Sequence, residues 1–149
     1  MKAVVMGAGG VGGYFGGLLA RAGHEVVFVA RGPHLAAIQE RGLRVESALD
    51  GTFTVRCPAV EDAAVVGEAE LVLFTVKMYD NGQAIDAVRP VVGPSSVILT
   101  LQNGIDNGEQ LAEAFGKSCV MIGSAYLEGR IKEPGVVTQV GPGAAAFGE

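Results

Sequence analysis

Cysteine is scarce in this chain. Cys57 and Cys119 stand alone, with no CxxC and no neighbour at metal-ligand spacing. That excludes a disulfide scaffold and a zinc site. It reads instead as two buried or half-buried thiols in a reducing, cytoplasmic compartment, and no metal is expected. No apolar run reaches the length needed to cross a bilayer. The apolar start Met1–Met6 is too short for a secretory h-region, and a strand explains it better. Charged residues make up only 18% of the chain, the net charge is −5, and lysines and arginines form no stripe, which argues against nucleic acid and leaves no membrane role. Histidine is equally sparse. His24 follows Gly23 at a helix end, where it can cap carbonyls. His34 follows Pro33 at a helix start. Neither pairs with an acid or nucleophile in a recognisable catalytic pattern.

Glycine is abundant, with 23 residues in 149, and 49% of the chain is hydrophobic. This suits one globular domain, residues 1–149, with a real core. The apolar strand Lys2–Met6 runs into Gly7-Ala8-Gly9-Gly10-Val11-Gly12 and then into a helix. Gly7, Gly9 and Gly12 fit the GxGxxG dinucleotide fingerprint. The first glycine permits the tight turn. The second lets the backbone approach a pyrophosphate, and the third lets the helix pack closely on the strand. The helix N-terminus offers free N–H groups and a positive dipole end. After the next strand, Glu25–Ala30, stands Arg31. An acid there would hold a ribose 2′-hydroxyl, whereas an arginine suits a 2′-phosphate. The pattern therefore points to NADP(H) over NAD(H). A basic residue at a strand end also occurs as a plain solvated charge.

The remaining periodicity orders the chain. The first helix spans about Gly10–Ala22, stopped by Gly23. Its glycines suggest close backbone approach, to the sheet on one side and a cofactor on the other. Pro33 opens a short helix, His34–Arg41. Leu43–Ser47 and Phe53–Ala59 alternate as strands around an Asp50-Gly51 hairpin signal, an insertion with either a surface or an interface role. Ala69–Val76 reads as a buried parallel strand, Asn81–Val88 as a helix, Ser96–Leu101 as a strand, Gly108–Phe115 as a helix and Ser118–Gly123 as a strand. The tail reads as three antiparallel strands, Ala125–Arg130, Val136–Val140 and Ala144–Phe147, separated by Glu133-Pro134-Gly135 and Gly141-Pro142-Gly143. The order predicts an α/β fold: a Rossmann-type, doubly wound, mainly parallel sheet with a hairpin insertion and added antiparallel strands.

In such sheets ligands bind outside the carboxyl ends of the strands. The glycine turn, Arg31, Lys77 and Asn103 all fall there. Each of the last two has a plainer reading: Lys77 as a surface charge after a buried strand, Asn103 before Gly104 as a turn former. Tyr79 and Asp80 read as helix-start residues, with Asp80 as the cap.

Taken in order, the glycine turn, Arg31, Val76-Lys77, Leu101-Gln102-Asn103-Gly104 and Glu133-Pro134-Gly135-Val136-Val137 resemble the ketopantoate reductase (2-dehydropantoate 2-reductase) family over essentially the whole chain. The resemblance implies an oxidoreductase that uses NADPH to reduce the ketone of 2-dehydropantoate, a 2-oxoacid, to (R)-pantoate on the way to pantothenate and coenzyme A. It implies that Gly7, Ala8, Gly9, Gly10, Val11 and Gly12 cradle the pyrophosphate and that Arg31 holds the 2′-phosphate. Lys77 would stand near the nicotinamide and the substrate, Asn103 would contact both, and Gly129 would offer a backbone contact near the nicotinamide. Members of the family are longer. By resemblance their second, all-helical domain supplies the general-acid lysine and most substrate contacts, in cis or in trans. Residues 1–149 alone are thus expected to bind NADPH/NADP without turnover, and to expose an apolar patch that favours a homo-oligomer. Two other readings stand beside this one: a non-catalytic NADP(H)-binding module, and the first domain of another NADP-dependent 2-oxoacid or hydroxyacid dehydrogenase.

Overall fold

The structure is a computed structural model that describes residues 1–77, 80–103 and 106–148. Tyr79 and Gly104, named above, lie outside the described residues. Nine strands form one sheet: β1 (Lys2–Met6), β2 (Glu25–Val29), β3 (Leu43–Ser47), β4 (Gly51–Val55), β5 (Ala59–Val60), β6 (Ala69–Phe74), β7 (Val92–Thr100), β8 (Val120–Glu133) and β9 (Val136–Gly148). Their order across the sheet is β4-β3-β9-β8-β7-β6-β1-β2-β5. From β5 to β8 every pairing is parallel. The helices are α1 (Gly10–Arg21), α2 (Gly32–Arg41), α3 (Asn81–Val88) and α4 (Asn107–Phe115).

Alternation along the parallel strands divides the core in two. Val5, Phe28, Leu73 and Leu99 pack with Tyr14 of α1 and Ile38 of α2. Val4, Val27, Val72 and Ile98 face the other way and pack with Ala84, Ile85 and Val88 of α3 and Leu111 of α4. Because side chains along a strand alternate between faces, one sheet is wound on both sides as expected.

Helix α1 contains five glycines in twelve residues, a composition that costs about 1 kcal/mol per glycine relative to alanine. Packing explains it. Beyond β1 and β2, α1 touches β8, β9, β3 and β4, so the sheet curls around it. A Cβ at Gly10 would stand 2.0 Å from the Gly129 carbonyl carbon, and one at Gly16 would stand 2.7 Å from Phe28 and Val5. The close approach within the helix is therefore to the sheet on both sides.

Three sequence expectations need correction. The tail forms two long strands, not three short ones: the strand expected at Ser118–Gly123 starts only at Val120, after a 3-10 turn over Lys117–Cys119, and merges with Ala125–Arg130 into β8. The Pro134-Gly135 turn is where expected, but Gly141-Pro142-Gly143 does not reverse the chain. Tyr126 pairs with Ala144 and Glu128 with Val140, so the segment is a bulge in β9, the setting that tolerates a residue without an N–H. The hairpin closes on a three-residue turn, Ala48–Asp50, with Ser47 opposite Gly51, because the Ser47 hydroxyl accepts from the N–H groups of Leu49 and Asp50. Its second strand ends at Val55. Pro58 breaks the run, and Ala59–Val60 crosses over to pair with β2. Finally, β3 lies parallel to β9, so the hairpin extends the main sheet.

Candidate functional site

A cleft of about 480 Å³ opens at the carboxyl ends of β1, β2 and β6. β1 is the switch point of the sheet: β2 lies on one side and the later strand β6 on the other. The chain leaves these neighbouring strands in opposite directions, which makes a crevice. Gly7, Ala8, Gly9, Arg31 and Lys77 all line it. Gly10, Val11, Gly12, Asn103 and Gly129 stand outside its lining.

The three motif glycines differ in what they face. Gly7 has φ 100°, the left-handed region that disfavours any side chain. A Cβ on Gly12 would fall 2.0 Å from the Gly7 carbonyl oxygen and 2.3 Å from Thr75 Oγ1, so that position must be bare for α1 to seat. A Cβ on Gly9 would meet nothing within 4 Å. Gly9 is bare beside open space at the N-cap of α1, whose first turn carries no acidic residue. A helix N-terminus with first-turn N–H groups lacking intrahelical acceptors, next to such space, suits an anion.

Two side chains fix this loop. The Thr75 hydroxyl, at the end of β6, donates to the Gly7 carbonyl at 2.8 Å. His34 was set aside above for want of a partner, yet the fold supplies two. The Gly135 N–H donates to Nδ1 at 2.9 Å. Nδ1 is therefore an acceptor, Nε2 carries the proton, and it donates to the Ala8 carbonyl at 2.6 Å. His34 ties the glycine loop to α2 and to the β8–β9 turn. Its partners lie 26 and 101 residues away, and no local pattern announces them.

The rim is charged. Arg31 Nη2 lies 3.3 Å from Asp80 Oδ2 across the cleft. Asp80 does hold the N-cap position of α3, but its side chain makes no cap hydrogen bond. Lys77 is exposed on the same rim, and its carbonyl accepts from the Asp80 N–H at 2.9 Å.

Asn103 is exposed, and its carbonyl accepts from Asn107 Nδ2 at 2.9 Å. Behind it lies an amide cluster not foreseen from the sequence. Gln102 Nε2 donates to the Val76 carbonyl and to Asn81 Oδ1, and Asn81 Nδ2 donates to Asn107 Oδ1 at 2.9 Å. These amides join the ends of β6 and β7 to the starts of α3 and α4. Gly129 packs against the Gly10 backbone, where a Cβ would stand 2.8 Å from the Gly10 carbonyl carbon.

Both cysteines are half-buried, and burial pushes the Cys57 thiol up from its ordinary range. Among the described residues no three His, Cys, Asp or Glu side chains gather as metal ligands, and no helix is long and apolar enough to cross a membrane.

The family model for ketopantoate reductase PanE/ApbA matches residues 3–149. A 2-dehydropantoate 2-reductase of Pyrococcus abyssi is 36% identical over 99% of this chain and 47% of its own length. The corresponding protein of Halobacterium salinarum is 38% identical over 99% of this chain and 49% of its own length. Among solved structures, the PanE/ApbA family ketopantoate reductase from Ralstonia eutropha JMP134 superposes with a TM-score of 0.92 at 39% identity, covering 99% of this chain and 49% of the other. The chain thus spans about half the length of the relatives it matches. With the sheet, the glycine turn and the cleft in agreement, the chain belongs to the ketopantoate reductase PanE/ApbA family.

Proposed function

We propose that this chain is the NADPH-binding half of an oxidoreductase that reduces the ketone of 2-dehydropantoate. The observation that carries the reading is the convergence of Gly7, Gly9, Arg31 and Lys77 on one cleft at the switch point of the sheet. The start of α1 holds the pyrophosphate with backbone N–H groups. The bare Gly9 leaves the room this needs. Arg31 takes the 2′-phosphate through charge-assisted hydrogen bonds. Lys77 stands near the nicotinamide and the substrate, and Asn103 contacts both. His34 and Thr75 hold the loop still, so less ordering is left for the moment of binding.

The bound dinucleotide supplies a hydride. The ketone must meanwhile be positioned and its oxygen protonated, and effects of that kind are worth many orders of magnitude. In this reading the proton donor belongs to a helical domain outside residues 1–149. NADPH consumption with 2-dehydropantoate, by residues 1–149 and by a longer polypeptide carrying the helical domain, tests it. Turnover is expected only from the longer form. Comparable turnover by residues 1–149 would place the acid within this chain, with Lys77 the first residue to replace. A longer form active on another 2-oxoacid alone would overturn the substrate assignment.

A further inference from the structure

Asp80 sits at the start of a helix, where an aspartate ordinarily accepts a hydrogen bond from the first-turn N–H groups. It makes no such bond. Its carboxylate turns into the cleft and meets the Arg31 guanidinium at 3.3 Å. The two come from opposite walls, Arg31 from the end of β2 and Asp80 from the segment after β6. The Asp80 side chain is 24% exposed and that of Arg31 69%, so the carboxylate is the more sheltered partner. Glu61, Lys77 and His34 also line the cleft, yet it is Asp80 that holds the guanidinium.

We propose that Asp80 is a specificity-determining residue that opposes the 2′-phosphate and favours the free ribose hydroxyls, so that it limits the cofactor preference Arg31 creates. This rests on the reading that Arg31 receives the 2′-phosphate. A phosphate drawn to Arg31 must displace the carboxylate and then lie beside it, and like charges at close range repel. A 2′-hydroxyl is a donor, and a carboxylate accepts from it, which is how an acidic residue selects the unphosphorylated ribose. The rim thus carries one residue of each preference, joined in an ion pair. That pair is the exposed kind, which holds its members weakly.

The test is titration of the unaltered chain, Asp80→Asn and Asp80→Ser with NADPH and with NADH, at low and high salt. Both replacements suit an N-cap, and circular dichroism confirms folding. Loss of the carboxylate is expected to tighten NADPH about tenfold at low salt. NADH should weaken by a smaller factor, and the NADPH gain should shrink at high salt. If the unaltered chain binds a dinucleotide but both folded variants keep its NADPH-to-NADH ratio, or shift it toward NADH, the proposal is overturned alone. If the unaltered chain binds neither dinucleotide, the cofactor reading fails and the proposal with it.

Discussion

Two aspartates in this molecule each meet an arginine, and their surroundings set them different tasks. Asp50, in the turn between β3 and β4, lies 3.4 Å from Arg21 and accepts from the Tyr14 hydroxyl at 2.6 Å. Tyr14 is fully buried. The Ser47 hydroxyl next to Asp50 donates to Gln139 Oε1 at 2.5 Å, and Arg21 lies over the Phe53 ring. This network stitches α1 to the β3–β4 hairpin and to β9, and it is anchored on the buried side chains of Tyr14, Ser47 and Gln139, with the Arg21 guanidinium exposed at its edge. Asp80 meets Arg31 at the mouth of an open cleft. An exposed pair contributes about 0–1 kcal/mol, so Arg31 can exchange its partner at little cost. The same two side-chain types hold the fold in one place and, in the proposed reading, meet a ligand in the other.

Replacements separate the two roles. The largest effect is expected at Gly9. Gly9→Val should abolish NADPH binding while leaving the thermal midpoint nearly unchanged, because the added side chain enters open space in the free protein and the pyrophosphate path in the complex. Undiminished affinity in a folded Gly9→Val protein would remove the phosphate-loop assignment. Gly12→Ala comes next and blurs the comparison, since that residue serves both regions. Its Cβ would stand 2.0 Å from the Gly7 oxygen, and overpacking against backbone costs about 3 kcal/mol, to be read from urea unfolding. A stability within a few tenths of the parent value would mean that α1 has room to shift.

Tyr14→Phe should sharpen the contrast. It removes a buried hydrogen bond to a carboxylate, a loss of about 2 kcal/mol, and should leave NADPH affinity untouched. Weaker cofactor binding would show that the two regions are coupled. The last effect concerns pH. Burial, then the hydrogen bond to Asp50 and its negative charge, push the Tyr14 phenol from 10.0 up to about 12. The folded chain holds this proton more tightly than the unfolded chain. The stabilisation is complete below pH 10 and is lost as pH rises from 10 to about 12. Denaturation midpoints across that range should fall in the parent and fall less in Tyr14→Phe. Parallel curves would remove Tyr14 as the source.

How much of this the sequence disclosed depended on whether the cause was local. The glycine turn, the strand–helix alternation and the strand-end positions of Arg31 and Lys77 are set by neighbours in the chain, and the doubly wound sheet followed from them. The misread features depend on distant partners. Gly141-Pro142-Gly143 has a turn's composition but is held in line by β8. The glycines of α1 answer to the curl of β8, β9 and β3. Asp80 looks like a cap until Arg31, 49 residues away, claims it, and His34 looks idle until Ala8 and Gly135 are brought to either side of its ring.

In the proposed reading, the cleft at the start of α1 is a dinucleotide site biased by Arg31 toward the 2′-phosphate. Paired calorimetric titrations of the unaltered chain and of Arg31→Ala, each with NADPH and NADH, address it most directly. A charge-assisted hydrogen bond contributes about 1.5–3 kcal/mol, or roughly ten- to a hundredfold, and with Asp80 opposing it NADPH is expected to bind more tightly than NADH by about tenfold in the unaltered chain. That gap should close in Arg31→Ala, mainly through weaker NADPH binding. Equal affinities in the unaltered chain, or a gap that survives the loss of Arg31, would contradict it.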